Sequence, residues 1–181
     1  MGANEIEPET KDWTWVIDRA CDDCGFDGPG TPPGEVASGV RANAEQWRTV
    51  LKGPDVARRP APGVWSPLEY ACHVRDVNRL FAERVALMLE RVDPELAAWD
   101  QDHAAIEGEY AASDPGEVAT ELLAAAGTVA AAYDAVADHG DGPAAWQRTG
   151  RRSDGSRFTV DSIARYHLHD LVHHAWDAHP R

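Results

Sequence analysis

The chain is short of cysteine and of positive charge. Only three of its 181 residues are cysteines, which is too few for a disulfide framework. Its 17 lysines and arginines are outnumbered by 31 aspartates and glutamates, and the formal net charge is -14. Affinity for nucleic acid comes mainly from lysine and arginine, and an anionic membrane repels such a chain. We therefore expect neither nucleic acid nor membrane as a partner.

Long apolar runs are also missing. No stretch approaches the roughly 20 residues that cross a bilayer, and the first residues lack the apolar centre of a signal peptide. A hydrophobic content of 43% is nevertheless enough for one packed domain. The sequence therefore predicts a soluble, cytoplasmic protein.

Four segments carry apolar residues at helical spacing, which predicts an all-α four-helix bundle over residues 34–181. The clearest helix begins at Ser66, where Glu69 completes a capping box, and ends near Arg91. The last one follows Thr159 and extends through Asp177. Residues 1–33 are expected to be an irregular N-terminal extension, and residues 146–158 a small hairpin before the last helix.

Histidines are concentrated at the end of the chain, where five of the eight fall in the last fifteen residues. On the last helix they occupy two neighbouring faces, and each face offers a pair four residues apart that could share a metal. One pair is Asp170 and His174, and the other is His169 and His173. The buried edge of the helix favours the first pair. An exposed, histidine-rich helix end without a ligand is the alternative.

His73 lies one helical turn after Glu69, beside the apolar face of the second helix. It therefore predicts a third ligand that faces the last helix across the bundle. Two histidines and one carboxylate leave coordination positions open, which is typical of catalytic or thiol-binding metal sites. A hydrogen-bonded core histidine is the alternative interpretation.

The pattern Trp65-Ser-Pro-Leu-Glu-x-x-x-His73-x-x-Asp, followed by Asp170-x-x-x-His174-x-x-Asp177, resembles the DinB/YfiT-like superfamily of metal-binding four-helix bundles. That superfamily includes bacillithiol- and mycothiol-dependent transferases and the mycothiol-dependent maleylpyruvate isomerase. The resemblance covers about residues 35–178. It implies that His73, Asp170 and His174 bind a divalent metal, zinc or nickel, and that the protein is a homodimer.

Asp170 departs from the pattern, because many members have histidine at that position and the isomerase-like ones have glutamate. A shorter side chain must bring the metal nearer to the helix or bind it through water. His169 and His173 therefore remain open as substitutes.

The resemblance favours an S-transferase or isomerase that uses a low-molecular-weight thiol of the mycothiol type. A divalent metal stabilises a thiolate at neutral pH, and this nucleophile would attack a small electrophilic substrate. One alternative is a metal-dependent hydrolase with Asp177 or Glu69 as the base. Another is a metal-binding bundle without catalytic activity.

Two further groups have open interpretations. Arg151 and Arg152, in the predicted hairpin, are expected to bind an anionic substrate or to balance nearby aspartates. Cys21 and Cys24 form a C-x-x-C pair, which is half of a zinc site, a redox pair or an ordered turn.

Overall fold

The computed structural model describes residues 11–179, in which four long helices form a bundle. The helices are α1 (Pro33–Val50), α2 (Pro67–Glu90), the short α3 (Gln101–Glu107), α4 (Pro115–Asp134) and α5 (Val160–Asp177). The strands are β1 (Glu95–Leu96), β2 (Thr149–Arg152) and β3 (Arg157–Thr159). The predicted all-α four-helix bundle is confirmed.

Side-chain caps fix where the two most important helices begin. At the start of α2, the Glu69 amide donates to Ser66 Oγ at 3.3 Å, and the Ser66 amide donates to Glu69 Oε2 at 2.8 Å. At the start of α5, the same reciprocal bonds join Thr159 and Ser162 at 3.0 and 2.9 Å. Each cap is worth about 1 kcal/mol. The caps set the helical register of α2 and α5.

The core lies between the four long helices. Helix α4 packs against both α1 and α2, and α5 packs against α1 and α2. Large side chains from all four helices are fully buried there, including Trp47, Met88, Leu122, Tyr133 and Ile163. One side of α5 therefore faces this core, and its other sides carry most of its polar side chains.

The hairpin before α5 is present, and a third short strand, β1, extends it to a three-stranded sheet. Strands β2 and β3 pair antiparallel, with Gly150 opposite Phe158. The two-residue β1 adds in parallel to β2, with Glu95 opposite Arg151. Two residues are too short to show a strand periodicity, so the sequence could not predict β1.

The segment before α1 has little regular secondary structure, but it packs against the bundle. A 3-10 helix at Thr14–Ile17 is followed by turns, and Val16 and Cys21 are buried. This 3-10 helix packs against α5. The division into an extension (1–33) and a bundle (34–181) remains a prediction, and residues 1–10 lie outside the described part. No helix within residues 11–179 is long and apolar enough to cross a membrane.

His167 is a core residue and not a candidate ligand. Its ring is fully buried and stacks on Phe81, with ring centroids 4.4 Å apart. Its Nδ1 lies 3.0 Å from Tyr133 Oη. Burial lowers the pKa of His167 to about 3. The ring therefore remains neutral in the folded protein at pH values where an unfolded chain would protonate it.

This burial predicts a loss of stability in acid. Between pH 6.5 and about 3, the unfolded chain binds a proton at His167 that the folded chain does not, so the free energy of unfolding falls as the pH is lowered. From pH 7 to pH 5, this single group contributes a loss of about 2 kcal/mol. The double variant Tyr133→Phe/His167→Leu should lack that contribution in urea unfolding of chelator-treated protein. An equal loss in the variant and the wild type would contradict the assignment.

Candidate metal centre

His73 on α2 meets Asp170 and His174 on α5. The His73 Nε2 atom lies 3.7 Å from Asp170 Oδ2, and His174 Nε2 lies 3.6 Å from Asp170 Oδ1. The two imidazole centroids are 4.6 Å apart. One ligand atom from each residue lies within 4.8 Å of the other two. The structure thus brings together the three residues that the sequence and the resemblance indicated.

The three residues fit a divalent cation. A tetrahedral metal with bonds of about 2.1 Å separates its nitrogen and oxygen ligands by about 3.4 Å, close to the distances found here. Both ring nitrogens of His73 and Asp170 Oδ2 are buried without a hydrogen-bond partner among the described residues. Each such atom costs about 1–3 kcal/mol when nothing satisfies it. A cation between the three side chains would satisfy His73 Nε2 and Asp170 Oδ2.

The charges of the three residues also suit a cation. Burial lowers the pKa of His73, which is neutral at pH 7. Burial opposes ionisation of Asp170, but the charge of His174 and the proximity of both imidazoles hold the pKa of that carboxyl well below its usual value. Burial likewise opposes protonation of His174, but Asp170 raises the pKa of His174 to about 9. His174 therefore has to lose a proton before its Nε2 becomes a ligand.

Neighbouring side chains fix the orientation of both imidazoles. Asp177 Oδ2 lies 3.2 Å from His174 Nδ1, which turns the Nε2 atom of that ring toward Asp170. The indoles of Trp65 and Trp99 lie against His73, with centroids at 5.3 and 5.4 Å. Carboxylates that hold the second ring nitrogen of a histidine are a regular feature of metal sites.

A cavity of about 780 Å³ opens beside the three residues. This volume lies within the range of sites for small molecules. Its wall combines aromatic side chains, two arginines and an acidic edge, including Trp65, Tyr70, Trp99, Tyr166, Arg84, Arg152 and Asp177. A molecule in this cavity can therefore reach the candidate metal centre.

The structure separates the two arginines that were expected to bind substrate. Arg152 lines the cavity and forms an ion pair with Asp154 at 2.6 Å. Arg151 pairs with Asp93 at 3.2 Å and is not among the residues that line the cavity. A role in substrate binding remains a prediction, and the cavity lining favours Arg152 over Arg151 for it.

Glu69, which the sequence offered as a hydrolytic base, is occupied elsewhere. It is 3% exposed, and it accepts hydrogen bonds from Arg59 Nε at 2.9 Å and from the Ser66 amide at 2.8 Å. It is also not among the cavity-lining residues. Asp177, the other candidate base, does line the cavity.

The rival pair on α5, His169 and His173, has partners of its own. Both side chains are buried, and they lie with Cys21 and Cys24 in a second group whose ligand atoms are all within 4.8 Å. The helical wheel presents the two pairs as competitors for one site, whereas each pair belongs to its own group of potential ligands. Burial raises the pKa of the Cys24 thiol to about 11, so this thiol is not a nucleophile at neutral pH in the metal-free state.

The cysteine pair and the histidine pair are each visible in the sequence, but their proximity in the fold is not. Cys21 and His173 are 152 residues apart along the chain. The sequence feature that could have indicated a shared site is the spacing, because each pair has that of half a Cys2His2 site. No spacing rule connects halves that are so distant.

With the fold and the site described, the chain can be placed in a family. The sequence profile of the DinB superfamily matches residues 26–178, and the chain belongs to that superfamily. Among curated proteins, no significant match is found.

A solved structure with the same fold is YfiT from Bacillus subtilis, described as a probable metal-dependent hydrolase with an unusual four-helix bundle topology. The TM-score is 0.71 at 14% sequence identity, over 81% of this chain and 83% of YfiT. At this identity the likeness concerns the fold alone.

The candidate centre predicts metal losses that elemental analysis can count. His73→Ala should reduce the metal bound per chain by one equivalent, because a three-ligand site rarely survives the loss of one imidazole. Asp170→Ala should do the same, and Asp170→His should restore binding. The control is His103→Ala, since this side chain is 66% exposed and lies outside the group. Full metal retention in His73→Ala would contradict the assignment.

Proposed function

We propose that this chain is a divalent-metal-dependent enzyme that adds a low-molecular-weight thiol to a small electrophile. An S-transferase would release the thioether as product, whereas an isomerase would break the new C–S bond again and release the thiol unchanged. The observation that carries the proposal is an incomplete ligand set, formed by His73, Asp170 and His174, at the wall of a cavity of about 780 Å³. The cavity has room for a thiol and a second substrate beside the open coordination positions.

The three residues would hold zinc or nickel. A metal bound there would lower the pKa of a coordinated thiol or water to near neutrality. The chain itself supplies the geometry. Asp177 holds the ring of His174 in place, and the indoles of Trp65 and Trp99 limit the access of water to His73. A thiol of the mycothiol type fits this proposal, because the reaction needs a thiolate and the cavity wall offers no cysteine among its lining residues.

Two arginines in the cavity wall are the proposed contacts for an anionic group of the substrate, although several aspartates line the same cavity. The Arg84 guanidinium donates to the Ala97 carbonyl at 3.0 Å, while its Nε is buried without a hydrogen-bond partner in the described part of the chain. Arg152 shares the same cavity wall. The acceptor that both groups favour is a carboxylate or another anionic group on the substrate.

A metal-dependent hydrolase is the second candidate. The Asp177 carboxylate borders the cavity beside His174, where it could accept a proton from water. The description of YfiT as a probable metal-dependent hydrolase is consistent with this candidate. In that case no thiol would be needed.

One assay separates the two candidates. Zinc- or nickel-loaded protein is incubated with monochlorobimane and either mycothiol or another low-molecular-weight thiol, and in parallel with a chromogenic ester without thiol. The proposal expects conjugation above the uncatalysed rate, abolished by chelator and by His73→Ala but retained in His103→Ala. Ester hydrolysis with no conjugation would favour the hydrolase. Neither reaction, with metal bound, would favour a non-catalytic bundle.

The two arginines provide a matched pair for substrate binding. Arg152→Gln should raise the KM of an anionic electrophile about tenfold with little change in kcat, because a charge-assisted hydrogen bond contributes about 1.5–3 kcal/mol. Arg151→Gln removes the same charge outside the cavity lining and should leave KM unchanged. Equal effects of the two substitutions, measured in steady-state kinetics, would contradict a contact between Arg152 and the substrate.

A homodimer is part of the same proposal, as the resemblance implies. Light scattering of the purified chain, with a mass of 19.7 kDa per protomer, measures the assembly directly. A purely monomeric mass would remove the dimer and leave the proposed chemistry unaffected.

A further inference from the structure

Two cysteines and two histidines converge where α5 meets the segment before α1, and they form a group separate from the candidate centre. Cys21, Cys24, His169 and His173 each place one ligand atom within 4.8 Å of the other three. The Cys21 Sγ atom lies 3.7 Å from His173 Nδ1. In tetrahedral zinc sites, bonds of about 2.3 Å to sulfur and 2.1 Å to nitrogen put these two ligands about 3.6 Å apart. The four side chains are thus close to the geometry of a metal site.

The cysteines are presented by a tight turn. The Gly25 amide donates to the Cys21 carbonyl at 2.9 Å, and the Cys21 amide donates to the Phe26 carbonyl at 2.8 Å. Gly25 has a φ of +75°, a left-handed conformation that favours glycine, and it follows Cys24 directly. The turn holds both sulfur atoms on the same side of the backbone. Such a C-x-x-C-G turn is half of a Cys2His2 ligand set.

The histidines supply the other half from a rigid helix. His169 and His173 are 3% and 8% exposed, and their ring centroids lie 5.2 Å apart. The Nε2 atom of His169 is buried without a hydrogen-bond partner among residues 11–179. A buried polar atom in this state costs about 1–3 kcal/mol unless a ligand satisfies it.

Aromatic rings cover the cluster. The Trp13 indole lies against both imidazoles, with centroids at 5.3 Å from His169 and 4.6 Å from His173. Phe26 covers His169 from the other direction at 5.8 Å. These rings shield the two imidazoles only in part, because both histidines also line the cavity. A complete set of four protein ligands is what distinguishes a structural metal site from an open catalytic one.

We propose that Cys21, Cys24, His169 and His173 bind a second divalent metal, zinc, in a closed Cys2His2 site. Two thiolates and two imidazoles complete a tetrahedral shell, so the site has no open position for a substrate. The metal fastens the segment before α1 to α5. Because Lys11 and Trp13 in this segment also line the cavity, the second metal shapes one wall of the proposed active site.

Cobalt substitution tests the site through its sulfur ligands. Cobalt-loaded protein should show thiolate-to-cobalt charge-transfer absorption in the near ultraviolet, together with the visible bands of tetrahedral cobalt. The centre at His73, Asp170 and His174 contains no sulfur and cannot produce the charge-transfer band. The band should therefore persist in His73→Ala and disappear in the double variant Cys21→Ser/Cys24→Ser. Absence of the band in the cobalt-loaded wild type would overturn the proposal.

Elemental analysis separates the two sites by number. The wild type should bind about two equivalents of zinc, and the double cysteine variant should lose one of them. Cys72→Ser is the matched control, because this third thiol is fully buried in the core, 3.9 Å from the Tyr110 carbonyl, and should retain both metals. Loss of metal in His73→Ala but not in the cysteine variant would refute the second site while supporting the first.

Two measurements keep the test decisive if the double variant fails to fold. Cys24→His retains a four-ligand set, and its cobalt form should show a weaker charge-transfer band that is still present. In the wild type, Cys21 and Cys24 should react with a thiol reagent only after zinc is removed by a chelator. Equal reactivity with and without chelator, or a Cys21–Cys24 disulfide in zinc-treated protein, would overturn the proposal.

Discussion

The ionised carboxylate of Asp170 is the charge around which the centre of the molecule is organised. It lies between the imidazoles of His73 and His174, and burial of its Oδ2 atom opposes its ionisation. Removing an ionised carboxylate from water is costly unless opposite charge or hydrogen bonds compensate for it. Helix α2 supplies one compensating ring and α5 supplies the other. The local electrostatics where these two helices meet therefore depend on these three side chains.

Helix α5 carries three kinds of histidine, and the surroundings decide the role of each. His167 faces the apolar core and stacks on Phe81, so it is neutral and structural. His174 faces α2 and the cavity, where a carboxylate raises its pKa. His169 faces the N-terminal segment and its aromatic and sulfur-bearing side chains. Because each residue is rotated by about 100° around the helix axis, α5 presents these histidines to three different environments.

Features of the fold that depend on local periodicity could be predicted from the sequence. The helix beginning at Ser66 follows from its cap and its spacing, and the structure contains it. The meeting of His73 with the last helix was implied by the family resemblance, and the structure brings these residues together. Contacts between distant segments were not accessible in this way. Helical periodicity gives the direction of the His169 side chain but not the identity of what it meets, and Cys21 lies far away along the chain. Glu69 shows a related limit, because its capping role was visible and its ion pair with Arg59 was not.

The two proposed metal sites on α5 differ in their donor chemistry. The set at Asp170 is incomplete and borders a large cavity, so coordination positions remain for substrates. The set at His169 is completed by two sulfur ligands beneath aromatic rings, which favours a metal that only holds the chain together. Asp177 lies between the two sets, with its Oδ2 atom 3.2 Å from His174 Nδ1 and 3.9 Å from His173 Nε2. Of these two rings, Asp177 is within hydrogen-bond distance of His174 only, but its carboxylate also faces His173, so the two sets adjoin at this side chain.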